Sequence, residues 1–303
     1  MLESISKPSS SPFLKLDKLS VTRPESDSVQ VQEVVRSLQD YCIKQRIPYG
    51  PTSRYTVQAA VPIATGSGTK RCTIQLGARE ARTNAYRIEC NPATLGPQGR
   101  EELDTLLLSI AGVDFREFVT TGKVTRADVA VDLPDIVVDD VIVRSSRARK
   151  HAIYTSQRGV PETVYIGKDN IAVYDKGAQA KDGIIRLRVE RRLKPMCLGR
   201  DLLNIANPFE NVRVIPKSVL EPLVPSPAQN IFDSMRVRGI KRVIATLPWN
   251  DRVRIEAAAN DEANNLLPTS LWDSWPSCLI DAGIAIAPSE SIDVQTPVGK
   301  DAT

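Results

Sequence analysis

Segments that alternate apolar and polar residues constrain this chain more than any other feature. In "KVTRADVAVDL" (123–133), Thr125, Ala127, Val129, Val131 and Leu133 fall on one side of an extended strand. Arg126, Asp128, Ala130 and Asp132 fall on the other. "RYTVQAAVPIA" (54–64) and "RCTIQLGA" (71–78) alternate in the same way around a "TGSGTK" turn. That turn leads into a strand and lacks the spacing of a phosphate loop, so a nucleotide-binding reading is discarded. "NAYRIECNP" (84–92), "ETVYIG" (162–167), "NIAVYDK" (170–176) and "GIIRLRVERRL" (183–193) read as further strands. Helical spacing marks 31–47 and 99–112, and "DIVVDDVIVRSSRAR" (135–149) reads as the next helix. Consecutive alternating strands with interspersed helices predict an α+β fold. Helices pack on one face of an antiparallel sheet, and the other face is polar.

Composition sorts the rest of the 303 residues. Residues 1–28 are rich in Ser, Pro and charge and read as a disordered lead-in. The sheet domain is expected over 29–200, a looser, proline-punctuated helical region over 201–285, and a tail over 286–303. No apolar run is long enough to span a membrane, and the first residues lack a secretory block, so a cytosolic protein is expected. Five cysteines at scattered spacings, with no CxxC pair, argue against a disulfide framework or a structural zinc. Net charge is +4, and basic residues concentrate in "RSSRARK" (144–150), "RLRVERRLK" (186–194) and "RVRGIKR" (236–242). Three such patches favour nucleic acid as a partner.

The polar face carries the chemistry. Alternation puts Arg186, Arg188, Glu190 and Arg192 on one side of the 183–193 strand, and Tyr174 with Lys176 on one side of the 170–176 strand. The simplest assembly gathers these residues with Arg126, Asp128 and Asp132. Neighbouring carboxylates repel unless a cation lies between them, and Mg²⁺ or Mn²⁺ suits oxygen ligands. Such an ion polarises a phosphoryl oxygen, and Arg and Lys clamp the remaining oxygens. A phenol is a weak nucleophile at neutral pH, and Lys176 is expected to stabilise its phenolate. Attack of Tyr174 on a DNA phosphodiester then yields a phosphotyrosine and a free 3′-hydroxyl. One ester is exchanged for another, so the step reverses without ATP.

"TRADVAVDL", then "TVYIG" with "NIAVYDKGAQ", then "IRLRVERRLK", in that order, resemble the replication initiation factor (Rep_trans) family of rolling-circle initiators from bacterial plasmids and phages. "YRIECNPATL" is similar to that family's upstream segment, and the likeness covers about residues 55 to 245. The resemblance implies a protein that binds a double-stranded origin and nicks one strand through tyrosine. It would stay on the 5′ end and later rejoin the ends, acting as a homodimer with a helicase partner. Tyr174 matches the nucleophile, and Asp128, Asp132 and Glu190 match acidic positions assigned to the metal. Nickases commonly hold their metal with paired histidines; with His151 alone, carboxylates must carry the ion here.

Two other functions remain open. A conjugative relaxase or phage single-strand nickase would use the same chemistry. A non-enzymatic nucleic-acid-binding module would stack bases on exposed aromatics, but only Tyr174 is expected on this face. Tyr165 is the alternative nucleophile. Origin reading is expected from "AQNIFDSMRVRGIKRVIAT" (228–246), through Arg236, Arg238, Lys241 and Arg242, as one helix or as two meeting at Gly239.

Overall fold

The computed structural model describes residues 12–24, 28–145, 151–155, 157, 161–167 and 171–286. Its strands are β1 (Phe13–Arg23), β2 (Tyr49–Gly50), β3 (Tyr55–Thr65), β4 (Gly68–Ala78), β5 (Tyr86–Cys90), β6 (Lys123–Pro134), β7 (Val141–Ser145), β8 (His151–Thr155), β9 (Pro161–Ile166), β10 (Ile171–Asp175), β11 (Arg186–Leu193) and β12 (Val212–Pro216). Ten of them form one antiparallel sheet in the order β2-β3-β4-β5-β1-β6-β11-β10-β9-β8, and β7 pairs with β12 separately. Helices α1 (Ser28–Gln45), α2 (Pro92–Ala111) and α3 (Phe115–Thr121) bury Leu38, Cys42, Leu103, Leu107 and Phe118 in one core with Val57, Ile63, Ile74 and Ile88 of the sheet. The expected α+β architecture is the observed one.

The expected lead-in is corrected. Residues 13–23 are β1, which lies between β5 and β6 at the centre of the sheet. Leu16, Leu19 and Val21 are buried in the core, and each stabilises the fold by about 1.5–3 kcal/mol. Residues 1–11 and the tail beyond 286 lie outside the described residues. The helix expected over 135–149 is corrected over 135–145, and residues 146–149 lie outside the described residues. Val138–Asp140 form one tight turn and Val141–Ser145 form β7, which opens on the β-branched Val141, Ile142 and Val143 and pairs with β12.

Residues 201–285 do not form one unit. α5 (Lys217–Leu220), α6 (Ala228–Arg238), α7 (Ile240–Ile244) and α8 (Trp249–Asn260) enclose a second core of Ile142, Ile215, Phe232, Met235 and Ile255. Trp275 and Leu279 instead join the main core, and Trp275 Nε1 donates to the Leu202 carbonyl at 2.8 Å. Among the described residues no helix is long and apolar enough to cross a membrane.

The sheet is built from two halves with the same plan. β1 opens the first at the centre; the chain then runs to the edge and returns through β3, β4 and β5 to lie beside β1. β6 opens the second, and β8, β9, β10 and β11 return to lie beside β6. The registers correspond row by row. Thr22, Arg87, Gln75 and Gln58 form one cross-strand row, and Asp132, Arg188, Tyr174 and Thr163 form its counterpart. The next row pairs Ser20, Glu89 and Thr73 with Ala130, Glu190 and Ala172. The sequence carries the same trace: "LSVTRP" (19–24) answers "VAVDLP" (129–134), and "YRIEC" (86–90) answers "LRVER" (187–191).

Candidate active site

Tyr174 and Glu190 come from the β10–β11 hairpin. Its connection is longer than a tight turn: Lys176–Ala180 form the single-turn helix α4, capped by Asp175, whose carboxylate accepts from the Ala178 N–H at 2.8 Å. Gly177 is required there, because an added Cβ would lie 1.8 Å from the Ile184 carbonyl oxygen. Lys176 therefore starts a helix and does not continue the strand.

The polar face assembles as alternation predicts, with Tyr174, Glu190, Arg188, Asp132, Asp128, Arg126 and Arg192 in adjacent rows. Most of its charges are already paired. Asp132 is fully buried and accepts from Arg188 Nε at 2.6 Å and Arg188 Nη2 at 2.8 Å, with Lys15 Nζ at 3.1 Å. Arg188 Nη1 reaches Asp17 at 2.6 Å. Burial would raise the Asp132 carboxyl, but the Arg188 hydrogen bonds and charge, helped by Lys15, hold it below the usual carboxylate range. Asp128, also buried, accepts from Arg126 Nε at 2.8 Å and lies 3.7 Å from Arg192 Nε. Arg186 pairs with Asp182 at the end of the hairpin.

Glu190 differs from the two aspartates. Its Oε2 accepts the Tyr174 hydroxyl at 2.8 Å, across the diagonal of the β10–β11 ladder. Burial, then the Glu190 charge and hydrogen bond, push the Tyr174 phenol well above its ordinary value of 10, and Arg188 opposes this only in part. The expected stabilisation of a phenolate by Lys176 is thus corrected. Lys176 Nζ donates to Gln179 at 2.8 Å and sits 5.9 Å from the Tyr174 ring centre. The phenol rests protonated beside a carboxylate that can accept its proton. A cleft of about 780 Å³ opens over the pair, lined by Tyr165, Ala172, Tyr174, Gln179, Glu190 and Arg192.

The carboxylates expected to share an ion do not converge. Each faces a partner of the chain itself, and among the described residues no three His, Cys, Asp or Glu side chains are grouped to hold a metal. An ion at Asp128 or Asp132 would have to displace Arg126 or Arg188, so the donor set as folded does not fit one.

Of the distant basic residues, Arg238, Lys241 and Arg242 are exposed around the turn at Gly239, where α6 and α7 meet. Arg236 is not on the surface: it is 4% exposed, pairs with Asp139 at 2.9 Å and Asp233 at 3.1 Å, and donates to the Asp139 carbonyl. It ties α6 to the turn before β7, which corrects its expected role in DNA contact.

The sequence reading missed aromatics on this face. Tyr154 on β8 lies opposite Thr163, in the Tyr174 row, and Tyr165 lies opposite Ala172, in the Glu190 row. Phe13 on β1 lies opposite Asp132. The signal for Tyr154 and Phe13 was present in "HAIYT" and "FLKLD", two strands the sequence reading did not recognise; Tyr165, in the recognised strand "ETVYIG", was read as an alternative nucleophile and not as a face aromatic.

The chain matches no protein-family model, and no curated protein was found to be similar to it.

Proposed function

We propose that this protein is a DNA nicking and joining enzyme that works through Tyr174, in the manner of the rolling-circle initiators its sequence resembles. The observation that carries the reading is the Tyr174–Glu190 hydrogen bond under an open cleft on a polar sheet face. Tyr174 Oη attacks a DNA phosphorus as Glu190 takes the phenolic proton, which is general-base catalysis of a poor nucleophile. The phosphorus–O3′ bond breaks, the 3′-oxygen leaves with its electron pair and takes a proton, and a 5′-phosphotyrosine remains. Reversal by a 3′-hydroxyl rejoins the strand and restores the phenol. Arg192 lines the same cleft and is half-exposed, so it can meet a phosphate oxygen. The proposed partners are double-stranded origin DNA, single-stranded DNA, a second copy of the chain and a helicase. Mg²⁺ or Mn²⁺ was the expected cofactor; because the carboxylates as folded do not fit an ion, the reaction is written without one.

The exposed tyrosines favour a second reading, a module that grips single strands without cutting them. One experiment separates the two. The protein is incubated with supercoiled plasmid carrying candidate origin DNA and run on a denaturing gel. A shifted DNA band that survives SDS, disappears after protease and is missing with Tyr174→Phe supports the enzyme. DNA binding without any such band overturns it.

A further inference from the structure

We propose that Tyr154 and Tyr165 form a stacking site for unpaired DNA bases beside the scissile phosphate. The inference deepens the proposed function and rests on it for the identity of the strand. The two rings meet edge to face, with centres 5.6 Å apart and planes at 82°. Tyr154 is 60% exposed and Tyr165 48%, while Val164 and Ile166, which flank Tyr165 on β9, are buried in the core. Rings this open do little for the fold, because the area they keep in water is area not buried. Each holds the other upright, and an aromatic face with a fixed orientation binds a base without first losing rotamer freedom.

Position gives the site its meaning. Tyr165 is one strand from Tyr174 and Tyr154 is two strands away, about 5 and 10 Å across the sheet. Tyr165 also lines the cleft that holds Tyr174, Glu190 and Arg192. A phosphate over Tyr174 therefore brings the neighbouring nucleotides over the two rings. In a duplex the base faces are covered by adjacent pairs, so only a melted strand can use this surface. Base–aromatic stacking tolerates any sequence, since every base has a π face.

The test is equilibrium binding of the full-length protein to a fluorescein-labelled twelve-nucleotide oligothymidine, and to a duplex of equal length. Tyr165→Leu and Tyr154→Leu should each weaken oligothymidine binding about five- to a hundredfold, the range spanned by single base–aromatic stacks. Tyr165→Phe and Tyr154→Phe should stay within about twofold, because the ring and not the hydroxyl makes the contact. Duplex affinity should hardly change. Thermal melts report whether the Leu variants are folded, and the Phe variants supply the comparison if one is not. Unchanged oligothymidine affinity in folded Leu variants, or an equal loss with the Phe variants or on duplex, overturns the site. Tighter tyrosine-dependent binding of oligouridine overturns its assignment to DNA. Stacking without a Tyr174 adduct would keep this inference and remove the nickase reading; an adduct with no stacking defect would do the reverse.

Discussion

Gln75 on β4 and Tyr174 on β10 occupy corresponding positions in the two halves of the sheet, each directly opposite an arginine, Arg87 or Arg188. The surroundings differ. Arg87 donates to Gln75 at 2.6 Å and to Glu89 at 2.6 Å, and Lys18 takes another Glu89 oxygen at 2.5 Å. Glu190 instead has the phenol as its partner. The first half therefore lacks an acceptor for a nucleophile's proton. We predict that Tyr174→Phe combined with Gln75→Tyr gives no covalent adduct; adduct at residue 75, mapped by peptide mass, would contradict the assigned role of Glu190.

Glu190→Gln should slow adduct formation by about 10²–10⁴-fold at neutral pH, the usual worth of a positioned base. It should also lower the Tyr174 pKa, because the carboxylate charge that helps hold the phenol protonated is gone. Ultraviolet difference titration against Tyr174→Phe measures this. Phenolate should appear at lower pH in the Gln variant than in the parent, and part of the lost rate should return in alkali.

Asp132→Asn should remove an ionic contribution to stability. The folded carboxyl titrates below its ordinary value of 3.8, so its contribution is complete at neutral pH and is lost as pH falls below 3.8. Arg188 keeps Asp17 and an amide oxygen, so losing the Asp132 charge should cost about 1–3 kcal/mol at pH 7, with a flatter acid limb in denaturant melts. Neither Asp132→Asn nor Asp128→Asn should make nicking require added Mg²⁺, since both carboxylates are held by arginines. A Mg²⁺ requirement in either variant would restore them as ligands.

Arg236→Ala should act on folding and Arg238→Ala with Lys241→Ala on DNA. The first removes a buried guanidinium bound to Asp139, whose own part-exposure moderates the loss to about 1–3 kcal/mol. The second removes exposed charges beside Gly239 and should weaken origin binding more than random-duplex binding. Melting curves and competition binding check the two. Equal loss on origin and random DNA would make Arg238 and Lys241 phosphate contacts only.

Gly177→Ala should impair the site without touching its polar groups. The methyl would meet the Ile184 carbonyl, forcing α4 and the adjoining Tyr174 to shift. A large fall in adduct formation with near-parental DNA binding is expected; a fully active variant would show that α4 has room to move.

The antiparallel sheet and its polar face were legible because β3, β4 and β6 alternate cleanly and β11 does so except at Arg191. β1 was not. Leu14 and Leu16 point inward on even positions, a bulge at Asp17 shifts the count, and Leu19 and Val21 continue on odd ones. One inserted residue breaks the period of two that marks a strand, and the surrounding Ser and Pro hid the rest. β7 was mistaken for helix because Val137, Val138, Val141 and Ile142 also fit helical spacing. In the site, alternation chose the right face for Asp128, Asp132 and Glu190. It could not show that register sets Asp132 opposite Arg188 and Asp128 opposite Arg192, which turns expected metal ligands into ion pairs.

The proposed function gives the width of the two-part sheet a further meaning. From β2 to β8 there are nine strand-to-strand steps, about 43 Å at about 4.8 Å each. One turn of B-DNA is about 34 Å long. Tyr174 lies near one end of that span, on the third strand from the β8 edge. A strand opened over the second half would thus leave most of a helical turn's length of sheet beneath the duplex that flanks it. Under the proposed nicking function, one copy of the chain would be long enough to meet both the cut strand and the uncut DNA beside it.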